Sequence, residues 1–219
     1  MSSSRTYRSE LREQQAQHTR AAIAREARAR FVAAGWAGTT VRSVAEAAGV
    51  SEATVYNVYG SKAGLAVSLV DAAEEGADVR RAAAELVERE GDPRGQLATF
   101  VGFDRRLFER GGDVLRVLGE ARRQHPELGE AYDEGRRRGG EQRRRVLSTW
   151  PASVWRTGVD VERALTVYAM VVSLDSYDVA VREGGWSADE VEDWWLACLE
   201  DLLLRPAGRG RSGSGARTR

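Results

Sequence analysis

The chain has 219 residues, 42% of them hydrophobic, and its 33 basic and 33 acidic side chains leave no net charge. That balance argues against a protein that coats nucleic acid regardless of sequence, because such proteins must neutralise many phosphates. The one cysteine, Cys198, excludes an internal disulfide and a cysteine metal cluster, and the length allows one large domain or a small one plus a medium one.

Ala, Leu, Arg and Glu dominate, only four prolines occur, and strand signals are nearly absent, so the composition predicts an all-α protein of about nine helices. Residues 1–10 are expected to be disordered. A first helix is expected over 11–34, with Ile23, Ala27 and Phe31 on one face, ended by Gly35 and followed by Trp36 under the loop.

Residues 39–65 then read TTVRSVAEAAGVSEATVYNVYGSKAGL. Val41, Val44, Ala45 and Ala48 follow the i, i+3, i+4, i+7 spacing of a helix with one buried face. Thr39 or Thr40 can cap it, and Gly49 stands where a left-handed terminating residue is wanted. Ser51 caps a second short helix that turns Val55 and Val58 inward. Thr54, Tyr56, Asn57 and Tyr59 are left outside. Two short helices joined by a glycine-containing turn spell a helix-turn-helix. The ordinary alternative is a helical hairpin with a wet face, but such faces are usually rich in Glu, Lys and Arg rather than Tyr and Asn.

A fourth helix starts at Ser61 and carries Leu65, Leu69 and Val70 inward, ending near Gly76 or Gly91, with 77–89 helical. Asp92 and Pro93 open the next, over 93–110, which Gly111 and Gly112 are expected to break before a shorter helix over 113–123. His125 and Pro126 open a helix to Trp150, stopped by Pro151, with Gly135, Gly139 and Gly140 predicting a kink. Its arginines 136–138 and 143–145, interleaved with Asp133, Glu134 and Glu141, read as a solvated face. Asp160 caps a helix to Arg182. After Gly184 and Gly185, Ser187 with Glu190 makes a capping box for the last helix, which ends at Leu204. The Gly/Ser/Arg-rich tail 206–219 is expected to be disordered. Residues 1–22 are too polar for a signal peptide, and the apolar run 165–174 is too short for a bilayer, so a soluble cytoplasmic protein without a membrane partner is expected.

Residues 1–65 hold nine basic and five acidic groups, residues 66–205 twenty and twenty-eight, and the tail four arginines. A basic head on an acidic body suits a DNA-binding domain joined to a second domain with another task. The expected organisation is a helix-turn-helix domain over 11–65 and a ligand-binding and dimerisation domain over 66–205.

Residues 39–62, with Thr40, Val44, Ala45, Ala48, Gly49, Val50, Ser51, Thr54, Val55, Tyr56, Tyr59 and Lys62, and Leu65 just beyond, resemble the N-terminal motif of the tetracycline-repressor (TetR) family of transcription regulators. Phe31, Gly35 and Thr39 sit where that family has an aromatic, a glycine and a threonine. The resemblance covers some 50 residues. Asn57, in place of a larger side chain, and Tyr59, in place of the commoner Phe, depart from the pattern and leave the operator sequence open. The resemblance implies that residues 51–59, opened by Ser51, are the recognition helix. Thr40 and Arg42 would meet phosphates, Tyr56 and Tyr59 the backbone or sugars, and Lys62 a phosphate. Glu52, Ala53, Thr54 and Asn57 would face base edges, where Asn suits adenine and the Ala or Thr methyl suits thymine.

It further implies a homodimer reading a palindromic operator in double-stranded DNA, with an interface built from the last two helices through Val171, Val179, Val191, Trp195, Cys198, Leu199 and Leu202. A small-molecule effector would bind in the body among Phe100, Phe103, Leu107, Phe108, Leu118, Trp150, Trp155 and Tyr168, with Asp104, Arg122, His125, Asp175 or Tyr177 as polar contacts. No cofactor and no metal are expected. Two rivals stay open: an architectural DNA-binding protein tolerant of sequence, and an all-α enzyme, although no catalytic set is visible.

Overall fold

The computed structural model describes residues 3–206, and within them regular structure is helical apart from one antiparallel bridge between Trp155 and Leu204. The expected disordered tail lies outside the described residues except for Pro206. The helices are α1 (Ser3–Gly38), α2 (Val41–Ala48), α3 (Glu52–Tyr59), α4 (Lys62–Gly76), α5 (Val79–Glu88), α6 (Pro93–Ala121), α7 (Pro126–Leu147), α8 (Val161–Val171), α9 (Leu174–Asp178) running into a π-turn (Val179–Glu183), and α10 (Ala188–Leu203). The first helix starts at Ser3, eight residues before the expected Leu11. Its regular geometry breaks at Gly35, where φ is 66°, a left-handed value that favours glycine.

Two apolar clusters hold the molecule. The first joins α1–α4 to the far end of α6. Ile23, Ala27, Phe31, Val44, Val55 and Leu65 are almost fully buried there, with Val114, Leu118 and Leu128 from α6 and α7. Each of the larger side chains contributes about 1.5–3 kcal/mol by leaving water. The head therefore has no separate core: its interior is completed by the body. The second cluster packs α6, α7, α8 and α10 around Leu97, Phe100, Val101, Trp150, Trp155, Tyr168, Trp195 and Leu199.

Three expectations are corrected. Gly111 and Gly112 do not break α6, which runs unbroken from Pro93 to Ala121. Both are buried: a Cβ on Gly111 would lie 2.5 Å from the Ala73 Cβ of α4, and one on Gly112 would lie 3.2 Å from Leu174. Their task is close approach between helices. The helix that carries Gly135, Gly139 and Gly140 is continuous from Pro126 to Leu147. The helix capped by Asp160 ends early, because Ser173 forms a new capping box with Ser176 and starts α9. Residues 161–183 match a membrane-spanning segment by length and apolar content, yet Val172 (φ −93°, ψ 88°) divides them into helices of 11 and 5 residues and a π-turn. None of these pieces reaches the roughly 20 residues a spanning helix needs. Lastly, Arg143 is not on a solvated face but points into the second cluster, as described below.

Candidate nucleic-acid interface and body cluster

The helix-turn-helix is fixed by N-caps that each bond an amide three residues on. Thr40 Oγ1 accepts the Ser43 amide (3.0 Å) and Ser43 Oγ accepts the Thr40 amide (3.2 Å), a reciprocal capping box. Gly49 terminates α2 with φ 67° and ψ 32°. Ser51 Oγ accepts the Thr54 amide (3.1 Å) and bonds the Thr54 hydroxyl (2.9 Å). Ser61 caps α4 in the same way through the Gly64 amide (2.9 Å). Each cap contributes about 1 kcal/mol and sets where its helix begins.

The turn leaves α3 with two sides. Val55 is buried in the first cluster, and Val58 and Tyr59 are half-buried. Glu52, Ala53, Tyr56 and Asn57 are exposed, with Ser51 at the start and Thr40 and Arg42 beside them on α2. Arg42 Nε donates to Glu46 (3.0 Å), a bond that raises the guanidinium's pKa further above its ordinary value.

Two of the anticipated residues are engaged by the protein itself. The Tyr59 hydroxyl donates to the Arg20 carbonyl of α1 (3.1 Å), and burial raises its pKa against the opposing effect of Arg20. The Lys62 ammonium donates to the Trp36 carbonyl and lies 4.1 Å from the Trp36 ring centroid, with its pKa lowered by burial. Trp36 stacks on Phe31 (5.5 Å) and meets His125 of the α6–α7 turn (5.5 Å). Sequence reading overlooked this run from Lys62 through Trp36 to His125, as its contacts are set by the fold.

In the body, Phe100, Asp104, Trp150, Trp155 and Tyr168 come together, with Phe103 and Leu107 half-buried on the same helix, and Phe108 and Tyr177 against Trp195. Leu118 belongs to the first cluster instead, Arg122 pairs with Asp133 (3.3 Å) at the end of α6, and Asp175 is exposed. Those three do not share the anticipated site. The Trp150 indole donates to Gln96 Oε1 (2.6 Å), which is how a buried tryptophan is accommodated. The Trp195 indole N–H is buried without a partner. Arg143, unanticipated, donates to Asp104 Oδ2, and the Tyr168 hydroxyl donates to the same oxygen (2.7 Å). Burial works to lower the Arg143 pKa, but Asp104 and Tyr168 outweigh it and hold the guanidinium above its ordinary value. Burial and the neighbouring Asp104 together push Tyr168 well up.

The anticipated dimer residues divide. Val191, Trp195 and Leu199 are fully buried within one chain and are core, because they form the inner stripe of α10. Val179 and Leu202 are exposed, and Val171 and Cys198 are half-buried. Met170 (74% exposed), Trp186 and Trp194 were overlooked, although Trp194, Cys198 and Leu202 recur every four residues as a second stripe legible in the sequence. Trp186 and Trp194 meet edge to face at 6.0 Å.

Residues 23–69 match the family described as bacterial regulatory proteins, tetR family. No curated protein matches the chain significantly. Among solved structures, NalD of Pseudomonas aeruginosa, the secondary repressor of the MexAB-OprM multidrug efflux pump, is 18% identical, with a TM-score of 0.70 over 89% of this chain and 100% of that one. A transcriptional regulator from Saccharomonospora viridis in complex with choline is 18% identical, with a TM-score of 0.68 over 85% and 98%. A TetR-family transcriptional regulator from Rhodococcus sp. is 18% identical, with a TM-score of 0.63 over 85% and 99%. The capped helix-turn-helix at residues 40–60 lies inside the segment that matches the tetR family, and the chain as a whole shares its all-helical fold with solved transcription regulators.

Proposed function

We propose that two copies of this chain bind a palindromic operator in double-stranded DNA as a repressor, and that a small molecule held in the body releases them. The carrying observation is the exposed face of α3, where Glu52, Ala53, Tyr56 and Asn57 stand clear on a helix capped at its start and anchored by Val55. Eight residues at 1.5 Å rise make a rod about 12 Å long, which fits the width of a major groove. In this reading Glu52, Ala53, Thr54 and Asn57 face bases. Thr40, Arg42, Ser51 and Tyr56 position the helix on the backbone. Lys62 and Tyr59 brace the frame through Trp36 and Arg20, and the remaining ammonium N–H groups of Lys62 can still reach a phosphate.

The exposed apolar surface of Met170, Val179, Trp186, Trp194 and Leu202 supports a two-fold interface across α8 and α10. The domain division follows in modified form: residues 11–65 carry the DNA-facing elements and 66–205 the interface and effector cluster, while α6 is shared by both cores. The Saccharomonospora viridis regulator of the same fold is in complex with choline, which supports an effector held in the body.

Selection from a random DNA pool tests the reading. The expected result is an inverted repeat preferred over random duplex by about a thousandfold or more. A pool that emerges without any consensus would sink it and favour a sequence-tolerant architectural role.

A further inference from the structure

We propose that the effector is an organic cation, and that it takes the place of the Arg143 guanidinium beside Asp104. The inference rests on the effector-responsive reading above and names the chemistry of its ligand.

The Arg143 head group has the surroundings a free cation would select. On one side Asp104 accepts its hydrogen bond. On the others lie two aromatic rings, Tyr168 with its centroid 4.4 Å from the guanidinium carbon and Phe100 at 5.8 Å. A carboxylate with aromatic faces is what ammonium and amidinium ions bind, and the attraction grows as water is excluded. Tyr168 adds a second donor to Asp104 at 2.7 Å and so fixes the carboxylate in place.

The two members of this ion pair are not equally free to leave. Asp104 is 5% exposed, short, and in the middle of α6, so it has no route to water. Arg143 is a long side chain on α7, 17% exposed, and can withdraw its head group to solvent along its own stem. It is also imperfectly satisfied: its Nε is buried with no hydrogen-bond partner. Gly139 lies one turn away, and a Cβ there would stand 3.2 Å from Arg143 Nη1, so the guanidinium rests over a bare position.

Charge counting selects the sign of the ligand. If a cation displaces Arg143, Asp104 keeps a counter-charge throughout. An anion would have to pull Arg143 away from Asp104, leaving a buried carboxylate unpaired, or crowd a second negative charge onto the same guanidinium, and both are unfavourable. The displacement also has a mechanical outlet. Asp104, Arg143 and Tyr168 come from α6, α7 and α8, and Asp113 on the same α6 holds Arg28 of the head.

Benzamidinium and methylguanidinium are the probes, benzoate the anionic control, all at matched ionic strength. Calorimetry on the full-length protein should show the cations binding and benzoate not. Asp104→Asn should weaken benzamidinium by at least about tenfold. Because Asp104→Asn can disturb folding, Tyr168→Phe is the second variant, and it should weaken the cation while leaving the circular dichroism intact. Arg143→Ala should melt below wild type and be restored by benzamidinium but not by sodium chloride. Benzoate binding that requires Arg143, or indifference of both wild type and Arg143→Ala to both cations, would overturn the inference. Operator release is read separately by fluorescence anisotropy on the selected DNA. If a cation binds at Asp104 and the DNA stays bound, the site stands and the release reading fails. If operator binding is selective and no cation binds, this inference alone falls.

Discussion

Arg28 of α1 grips the Asp113 carboxylate of α6 with two hydrogen bonds, 2.9 Å from Nε and 2.8 Å from Nη2, and its Nη2 also donates to the Arg110 carbonyl. This is the polar tie between the helix that frames the DNA-facing head and the longest helix of the body. Both side chains are partly exposed, at 45% and 30%, so screening limits the pair's contribution to stability. A double-mutant cycle with Arg28→Ala and Asp113→Ala should give a coupling energy of about 0.5–1 kcal/mol by thermal or urea unfolding. A coupling indistinguishable from zero would remove the tie from the account.

Glycines of α6 should respond to alanine in opposite directions. Gly111→Ala places a methyl 2.5 Å from the Ala73 Cβ and should destabilise by about 1–3 kcal/mol. Gly119→Ala meets nothing within 4 Å on the same helix and should stabilise by about 0.5–1 kcal/mol. Urea midpoints of the two variants check this, and equal shifts would contradict the close approach of α4 to α6.

Tyr168 gives the alkaline limb of stability a specific origin. Its folded pKa is raised well above 10.0, by burial first and by Asp104 second, so the neutral phenol is favoured in the fold. Its contribution is complete below the unfolded pKa near 10 and is lost as pH rises beyond it. Absorbance at 295 nm should show one tyrosine ionising only together with unfolding, and Tyr168→Phe should abolish that step. Ionisation of all six tyrosines before the loss of circular dichroism would contradict it.

The exposed stripe on α10 predicts the response of the oligomer. Trp194→Glu or Leu202→Glu should convert the proposed dimer into a monomer by light scattering, with helicity retained. Val87→Glu, on an equally apolar but isolated exposed position of α5, should leave the mass unchanged. A Trp194→Glu protein that still weighs two chains would place the interface elsewhere.

On the head, Arg42→Ala should weaken binding to specific and random duplexes alike and lower the slope of log affinity against log salt by about one. Asn57→Ala should instead change the selected sequence at one position per half-site, at a cost of about 1–3 kcal/mol for the wild-type site. An identical consensus from wild type and Asn57→Ala would mean that Asn57 does not read bases.

What was legible in the sequence is what is encoded over three or four residues. Thr40, Gly49, Ser51, Asp92, Asp160 and Ser187 all cap or terminate helices at the anticipated places, because a cap needs only its own neighbours. Gly111 and Arg143 were misread for one shared reason. A glycine pair looks the same whether it ends a helix or admits another, and the difference lies with Ala73, far away in the chain. Likewise, an arginine in a charged run is solvated or buried according to a partner, here Asp104, 39 residues distant. Trp195 and Trp194 show the same limit at closer range: both belong to apolar stripes of α10, and only tertiary packing decides that the first faces inward and the second outward.

The seat of α4 on Gly111 lacks a cushion. Elsewhere two helices can slide a little while long side chains change rotamer between them, but here a methyl rests almost on main chain and has no torsion to spend. The spacing of α4 from α6 at this point is therefore set by backbone and one methyl alone. The rest of the body could vary freely around this contact, so long as that one bare stretch of backbone stays bare.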